Sequence, residues 1–238
     1  MQGKVICIGL GPGDPELMSV RAHRCLTSAR TVAFFRKAGK PGQARRIAEG
    51  LIPAGAEEWP MEYPVTTEIA LDDPAYNAAL APFYDHWAGR LAEGARAGDV
   101  VVLCEGDPFF YGSFMHLHAR LPEGLVEVVP GIPGMVGCWT ATGLPITWGD
   151  DVLTVLPATL PQTELARRAA DTDALVVMKI GRNLPKLRAA LAEAGRLADA
   201  WLVEHGTMPA QKVWRLTEVE EIVPYFSIVL VHGRGRRP

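Results

Sequence analysis

ICIGLGPGDPELMS (Ile6 to Ser19) and VVVLCEGDPFFYGS (Val100 to Ser113) each carry a short apolar run, then Gly-Asp-Pro, then a stretch compatible with helix. Apolar runs of this length closed by a glycine turn read as buried strands, so the pair predicts two strand-turn-helix junctions. Open α/β sheets hold their ligands just beyond the carboxyl ends of such strands. Working outward, strands are predicted at Val5 to Gly9, Thr31 to Phe35, Val100 to Cys104, Val126 to Val129, Val152 to Leu156, Leu175 to Lys179, Ala200 to Glu204, Lys212 to Leu216 and Phe226 to Val231. Helical spacing links Met18, Ala22, Cys25 and Ala29, and more strongly Tyr76, Leu80, Phe83, Tyr84, Trp87 and Leu91, although Pro82 interrupts the second pattern. Strands alternating with helices predict an α/β fold, parallel in its first half. The short connections in LVEHGTMPAQKVWRL and YFSIVLVHG predict antiparallel pairs and a second, mixed sheet. Two domains are expected, 1–118 and 119–238, with the seam in the Pro/Gly turn near Ala119 to Gly124. HGRGRRP at the end reads as a solvated tail.

Composition narrows the possibilities. The chain has 238 residues, 48% of them apolar, enough for sizeable cores. No apolar run approaches the ~20 residues that span a bilayer, and MQGKVICIGL enters a strand without a charged leader, so a cytoplasmic location is expected and no membrane partner. Cys7, Cys25, Cys104 and Cys138 form no CxxC pair and lie in apolar segments, which suits reduced core residues rather than disulfides or zinc; no metal is expected. A net charge of -3 argues against binding nucleic acid through overall positive charge.

The first loop fails as a dinucleotide motif. Its third glycine, Gly13, is displaced from the GxGxxG spacing, and Asp14 followed by Pro15 looks like an N-cap and a first helical position. A carboxylate there would occupy the backbone donors that a pyrophosphate needs. No Asp or Glu lies between Leu17 and Ala48 to receive a ribose, and GxxxxGK[ST] and GxSxG are both absent. That acid-free interval instead carries Arg21, Arg24, Arg30, Arg36, Lys37, Lys40, Arg45 and Arg46. For Arg21 and Arg24 a solvated helix face is the plainer reading. Arg36, Lys37, Lys40, Arg45 and Arg46, just beyond a strand's carboxyl end, suit an anion, carboxylate as well as phosphate.

In the second loop Asp107 could simply cap a helix begun by Pro108, with Phe109, Phe110, Tyr111 and Phe114 as core. VVPGIPGMVGCWTATGLPIT (Val128 to Thr147) adds another strand running into a glycine-rich turn. Backbone bared by glycines beside a carboxylate suits a polar, uncharged or cationic ligand.

GLGPGDPELMS, CEGDPFFYGSFMHLHARL, VVPGIPGMVGCWTATGLPIT, LVVMKIG and EHGTMPAQKVW, in this order, resemble the tetrapyrrole methylases across nearly the whole chain. Together with EYPVTTE (Glu62 to Glu68), the second stretch is similar to the branch that methylates precorrin-2 at C20 in cobalamin biosynthesis. The resemblance implies a two-domain tetrapyrrole methylase fold, with a mostly parallel N-terminal sheet, a mixed C-terminal sheet and S-adenosylmethionine in the cleft between them, in a homodimer. By position it implies donor binding by Pro12, Gly106, Asp107, Phe110, Pro133, Gly134, Met178, Gly206 and Thr207. It gives the basic stretch a polyanionic small-molecule substrate to orient and implies no nucleic acid, although relatives that modify RNA or protein, a cobalt-loaded substrate, and a non-catalytic ligand sensor remain open. Methyl transfer to a ring carbon must release a proton. Where related uroporphyrinogen methylases have an acid after the second strand, this chain has Phe35, which excludes an acidic base there; Glu62, Tyr63 and Glu68 are the nearest alternatives, and water is another.

Overall fold

The computed structural model describes residues 3–65, 74–219 and 222–235. These form two compact units, Met1–Pro133 and Gly134–Pro238.

In the first unit, β1 (Val5–Gly9), α1 (Val20–Thr27), β2 (Thr31–Lys37), α2 (Gln43–Ile47), β3 (Glu57–Tyr63), α3 (Pro74–Gly94), β4 (Val100–Cys104), α4 (Phe114–His118) and β5 (Val126–Val129) follow one another. The strands pair in the order β3-β2-β4-β1-β5, every neighbour parallel. Such a sheet is covered on both faces. Ala22 and Leu26 of α1 and Ala44 and Ile47 of α2 pack with Ile8, Phe34, Val101 and Leu103 on one face. On the other, Leu80, Tyr84, Trp87, Ala88 and Leu91 of α3 and Phe114 and Leu117 of α4 meet Cys7, Met61, Val102 and Cys104. The spacing of those α3 residues is the apolar stripe read from sequence, and the helix continues through Pro82. Proline there removes the bond to the Ala78 carbonyl, but both residues are exposed, so water satisfies that group.

β3 is the strand that sequence reading misses. Trp59 and Met61 alternate inward, but Pro60 interrupts the pattern; β3 lies at the sheet edge, where a missing N–H is tolerated. The domain seam also moves. β5 pairs with β1 along Val5↔Val126 to Ile8↔Val129, so the turn at Ala119 to Gly124 lies inside the first unit, and the division falls after Pro133 rather than at 118/119.

The second unit runs α5 (Gly134–Ala141), β6 (Leu153–Pro157), α6 (Gln162–Ala170), β7 (Ala174–Met178), α7 (Leu184–Glu193), β8 (Ala200–Glu204), β9 (Lys212–Arg215) and β10 (Ser227–Val231). Its sheet has the order β6-β7-β10-β8-β9, with β6 and β7 parallel and β10 antiparallel to both β7 and β8. Leu165, Leu187 and Leu191 of α6 and α7 cover one face, and Cys138 of α5 joins Val176, Val203 and Leu230 on the other. His232 to Gly235 are not a free tail. Gly233 donates to the Ile146 carbonyl (2.9 Å), His232 meets Pro145 and Thr142, and Arg234 pairs with Asp199. Gly233 and Gly235 lie so close to the Asp151 carboxylate that an added Cβ would come within 2.0 and 2.2 Å of its oxygens, which is why this strap uses glycine.

Candidate active site

The chain leaves β1 on one side of the first sheet and β4 on the other: α1 leads over β4 to β2, while α4 leads over β1 to β5. The crevice at the carboxyl ends of β1 and β4 is therefore the topological switch point, where open sheets bind ligands. Both Gly-Asp-Pro turns leave from it. They are joined by an isolated bridge in which Gly106 N donates to Gly11 O (2.8 Å) and Gly11 N to Gly106 O (3.4 Å). The third loop, after β5, closes on the same backbone. A Cβ on Gly131 would lie 2.2 Å from Gly106 O, and one on Gly9 would lie 2.5 Å from Gly131 N. Gly106 takes φ +64°, a conformation that glycine adopts without strain.

The two aspartates do different work. Asp14 accepts from Glu16 N (2.9 Å) and caps a single 3-10 turn, Pro15–Leu17; the following helix α1 has its own cap, Ser19 Oγ accepting from Ala22 N (3.1 Å). Asp107 accepts from Phe109 N through one oxygen (2.9 Å) and from Gly131 N through the other (3.0 Å). It is therefore a tie between the β4 and β5 loops and caps no helix: α4 starts only at Phe114. Pro12 is buried, and Phe110 is half-buried against Tyr111.

At the β2 and β3 ends of the same edge, Phe35 stacks on Tyr63 (centroids 5.4 Å, planes 12° apart), and Phe83 of α3 packs against both. Tyr63 donates to Ser113 Oγ, linking this wall to the loop after β4. Burial, which dominates, pushes its phenol well above the ordinary value, so Tyr63 is a donor at neutral pH and not a base. The basic stretch divides. Arg36 is held by Glu62 (Nε to Oε1 2.8 Å) and Arg45 by a two-pronged contact with Glu58 (2.6 and 3.0 Å), while Lys37, Lys40 and Arg46 are exposed. The Glu62 carboxylate is thus engaged by a guanidinium, and Glu68 lies outside the described residues.

Sequence reading passes over Glu105. It follows the last residue of the central strand β4, next to Gly106, and its carboxylate makes no hydrogen bond among the described residues. Desolvation by the surrounding protein raises its carboxyl to about 7. The side chain still reaches solvent, and the water on its exposed side works against that shift.

In the second unit, β7 and β8 run the same way because each opposes β10, so Met178, Gly206 and Thr207 share one sheet edge. Gly206 lies against α5: a Cβ there would be 2.8 Å from Cys138 Sγ, whose thiol burial pushes up to about 12. Thr207 N donates to Gln211 Oε1 (2.7 Å). Pro133 ends the first unit and Gly134 opens α5, where a Cβ would meet nothing within 4 Å. Among the described residues, the non-glycines at positive φ are Tyr111 (56°), Lys179 (57°), His205 (50°) and Thr207 (67°). Each is, or adjoins, one of Phe110, Met178, Gly206 and Thr207. Left-handed conformations cost a side-chain-bearing residue roughly 1–2 kcal/mol and gather where a site dictates backbone direction. No feature of these four side chains marks them in the sequence.

Two α/β units carry these features, glycine-rich turns meeting at the switch point of a parallel sheet in the first and a run of left-handed residues at one edge of a mixed sheet in the second. The chain's class is the tetrapyrrole (corrin/porphyrin) methylases: the family's model matches residues 4–222, and the chain belongs to this family. A precorrin-2 C(20)-methyltransferase from Sinorhizobium sp is 52% identical over 239 residues, covering 99% of this chain and 98% of that protein. The cobalt-precorrin-2 C(20)-methyltransferase of Salmonella typhimurium is 29% identical over 240 residues, 98% of this chain and 97% of that one. In fold, the chain resembles uroporphyrin-III C-methyl transferase from Thermus thermophilus, solved in complex with S-adenosyl homocysteine (TM-score 0.67, 23% identity, 96% and 97% of the two chains). Among the described residues no helix is long and apolar enough to cross a membrane, and no cluster of three His, Cys, Asp or Glu could hold a metal ion.

Proposed function

We propose that the protein methylates precorrin-2 at C20, using S-adenosylmethionine, in cobalamin biosynthesis. The observation that carries this reading is the 52% identity to a precorrin-2 C(20)-methyltransferase over essentially both full lengths. The lower identity, 29%, to a relative that acts on the cobalt-loaded form favours the metal-free substrate.

The residues suit the donor. None of Pro12, Gly106, Asp107, Phe110, Pro133, Gly134, Met178, Gly206 and Thr207 is a cation, and Gly134 leaves open room. Backbone carbonyls and a carboxylate suit a zwitterionic sulfonium better than a phosphate. S-adenosylmethionine supplies a methyl group already activated by its sulfonium charge, so the protein's task is largely alignment, worth up to roughly 7–11 kcal/mol. On this reading Asp107 and the three packed glycines hold the donor loop rigid. The Phe35, Tyr63 and Phe83 wall offers aromatic surface to the macrocycle, and Lys37, Lys40 and Arg46 meet its acetate and propionate groups. Arg36 and Arg45, each engaged by a glutamate, fix the shape of that rim. The protein works as a homodimer in the cytoplasm.

Incubation with S-adenosylmethionine and precorrin-2 is expected to yield a product heavier by one methyl group, with equimolar S-adenosylhomocysteine. Absence of both, with folded protein, overturns the reading. Faster turnover of cobalt-loaded substrate would assign the chain to the cobalt-dependent branch.

A further inference from the structure

The methylated carbon must lose a proton, and of the groups expected to receive it the two that lie among the described residues, Glu62 and Tyr63, are ill placed to do so. Glu62 is bound by Arg36, Tyr63 holds its proton at neutral pH, and Phe35 carries no acid. Glu105 differs from all three. It stands at the carboxyl end of the central strand, at the switch point, directly before the Gly106 and Asp107 turn and beside the wall that ends in Tyr63. We propose that Glu105 is the catalytic base that takes the C20 proton, an inference that rests on the function proposed above.

The step balances without any further reactant. C20 forms a bond to the methyl carbon as the sulfur–methyl bond breaks, its pair returning to sulfur. The C20–H bond then breaks, its electron pair returns to the conjugated ring system, and the proton passes to the Glu105 carboxylate, which releases it to water on its exposed side. The charged and titratable groups around Glu105 among the described residues include the Tyr63 phenol of β3, which feels its charge, and, by chain position, the Cys104 thiol one residue before it and Asp107 two residues on. None of these is a cation. With no guanidinium or backbone donor bonded to it among the described residues, the carboxylate keeps a basicity suited to its task, and desolvation by the surrounding protein shifts it upward, opposed by the water on its exposed side.

The test uses the full chain. Carbon-13 NMR of labelled glutamate side chains should show one carboxyl titrating near pH 7, missing in Glu105→Gln; a midpoint in the ordinary carboxylate range overturns the proposal, whatever the substrate. With precorrin-2, Glu105→Gln is expected to bind S-adenosylhomocysteine within threefold of wild type, yet lose roughly 100-fold or more in kcat/KM. The limb of the pH profile near 7 should vanish in that variant and return in Glu105→Asp. Turnover within threefold of wild type, with the limb unchanged, overturns the proposal and leaves the proposed function standing. If wild-type protein methylates neither form of precorrin-2, the function fails and the assignment of Glu105 fails with it.

Discussion

Asp107→Ala separates the two Gly-Asp-Pro turns by experiment. The substitution deletes two backbone-to-carboxylate hydrogen bonds, from Phe109 N at 2.9 Å and Gly131 N at 3.0 Å. Bonds of this charge-assisted kind contribute roughly 1.5–3 kcal/mol each, and because the loops are partly wet the lower end applies, giving about 3 kcal/mol together. That energy holds the β4 loop to the β5 loop, so its loss should loosen the arrangement that carries Gly106 and Phe110. If about half of it is felt in donor binding, the S-adenosylhomocysteine Kd rises roughly tenfold, since a factor of ten is 1.4 kcal/mol. Asp14→Ala removes the cap of one exposed 3-10 turn, a cost of about 1 kcal/mol, and its Kd should stay within threefold. Titration calorimetry with S-adenosylhomocysteine, on variants whose folding is established by urea unfolding, measures both. Equal losses of binding in the two variants would refute the distinct roles given to the two aspartates.

Three further outcomes are expected. Gly131→Ala places a Cβ 2.2 Å from Gly106 O and 2.7 Å from Gly9 Cα, both backbone; overpacking of this kind costs roughly 1–3 kcal/mol, so urea unfolding should shift to lower midpoints and donor affinity should fall. Tyr63→Phe removes the donor to Ser113 but keeps the stacked ring, so stability should drop by about 1 kcal/mol with turnover retained; a 100-fold loss of kcat at constant stability would restore Tyr63 as the base. Glu105 carries a carboxyl raised to about 7 in the fold, against an ordinary value near 4.5 when unfolded, so folding favours its neutral form. The advantage is complete below pH 4.5 and is lost as pH rises through 7, because the folded state then gives up a proton it holds more tightly than the unfolded chain. Thermal unfolding should accordingly find Glu105→Gln gaining on wild type between pH 5 and pH 8; no change in the difference would refute the raised carboxyl.

The strands with clear apolar runs were legible to within a residue or two. β1, β4, β5 and β8 begin and end where they were read, while the buried strands β7 and β10 are each displaced by one residue at one end or both, because an apolar run marks a strand and its flanking turn residues set the bounds only locally. β3 escaped because an edge strand tolerates Pro60 and three glutamates, which locally look like loop. The seam was misplaced for a related reason. ARLPEG has the composition of a linker, but the right-handed crossover from β4 through α4 brings the chain back to β1, so the sheet claims β5 for the first unit. The basic stretch was legible as charge but not as pairing: its partners Glu58 and Glu62 lie on the unpredicted strand, and without β3 there was nothing to show that Arg36 and Arg45 were already engaged.

The repeated tripeptide shows why a motif alone underdetermines a role. Both aspartates occupy the same position in the same local turn, and each accepts from the residue two positions on. What separates them is the sheet order. The Asp14 turn leaves β1 and bends into its own 3-10 segment, whereas the Asp107 turn leaves the central strand and faces the loop of β5, which β1 brings within reach. Contact between those loops demands glycine at 9 and 131, where backbones pass closer than any Cβ allows, and Asp107 fills the donor that this closeness leaves on Gly131 N. The same central position sets Glu105 one residue before the bridge, open to solvent on one side and without a partner among the described residues. A carboxylate engaged by backbone and, two residues before it, one with no such bond among the described residues are thus consequences of one strand's place in the sheet, and the proposed division of work, one holding the loop and the other accepting the proton, follows from that difference.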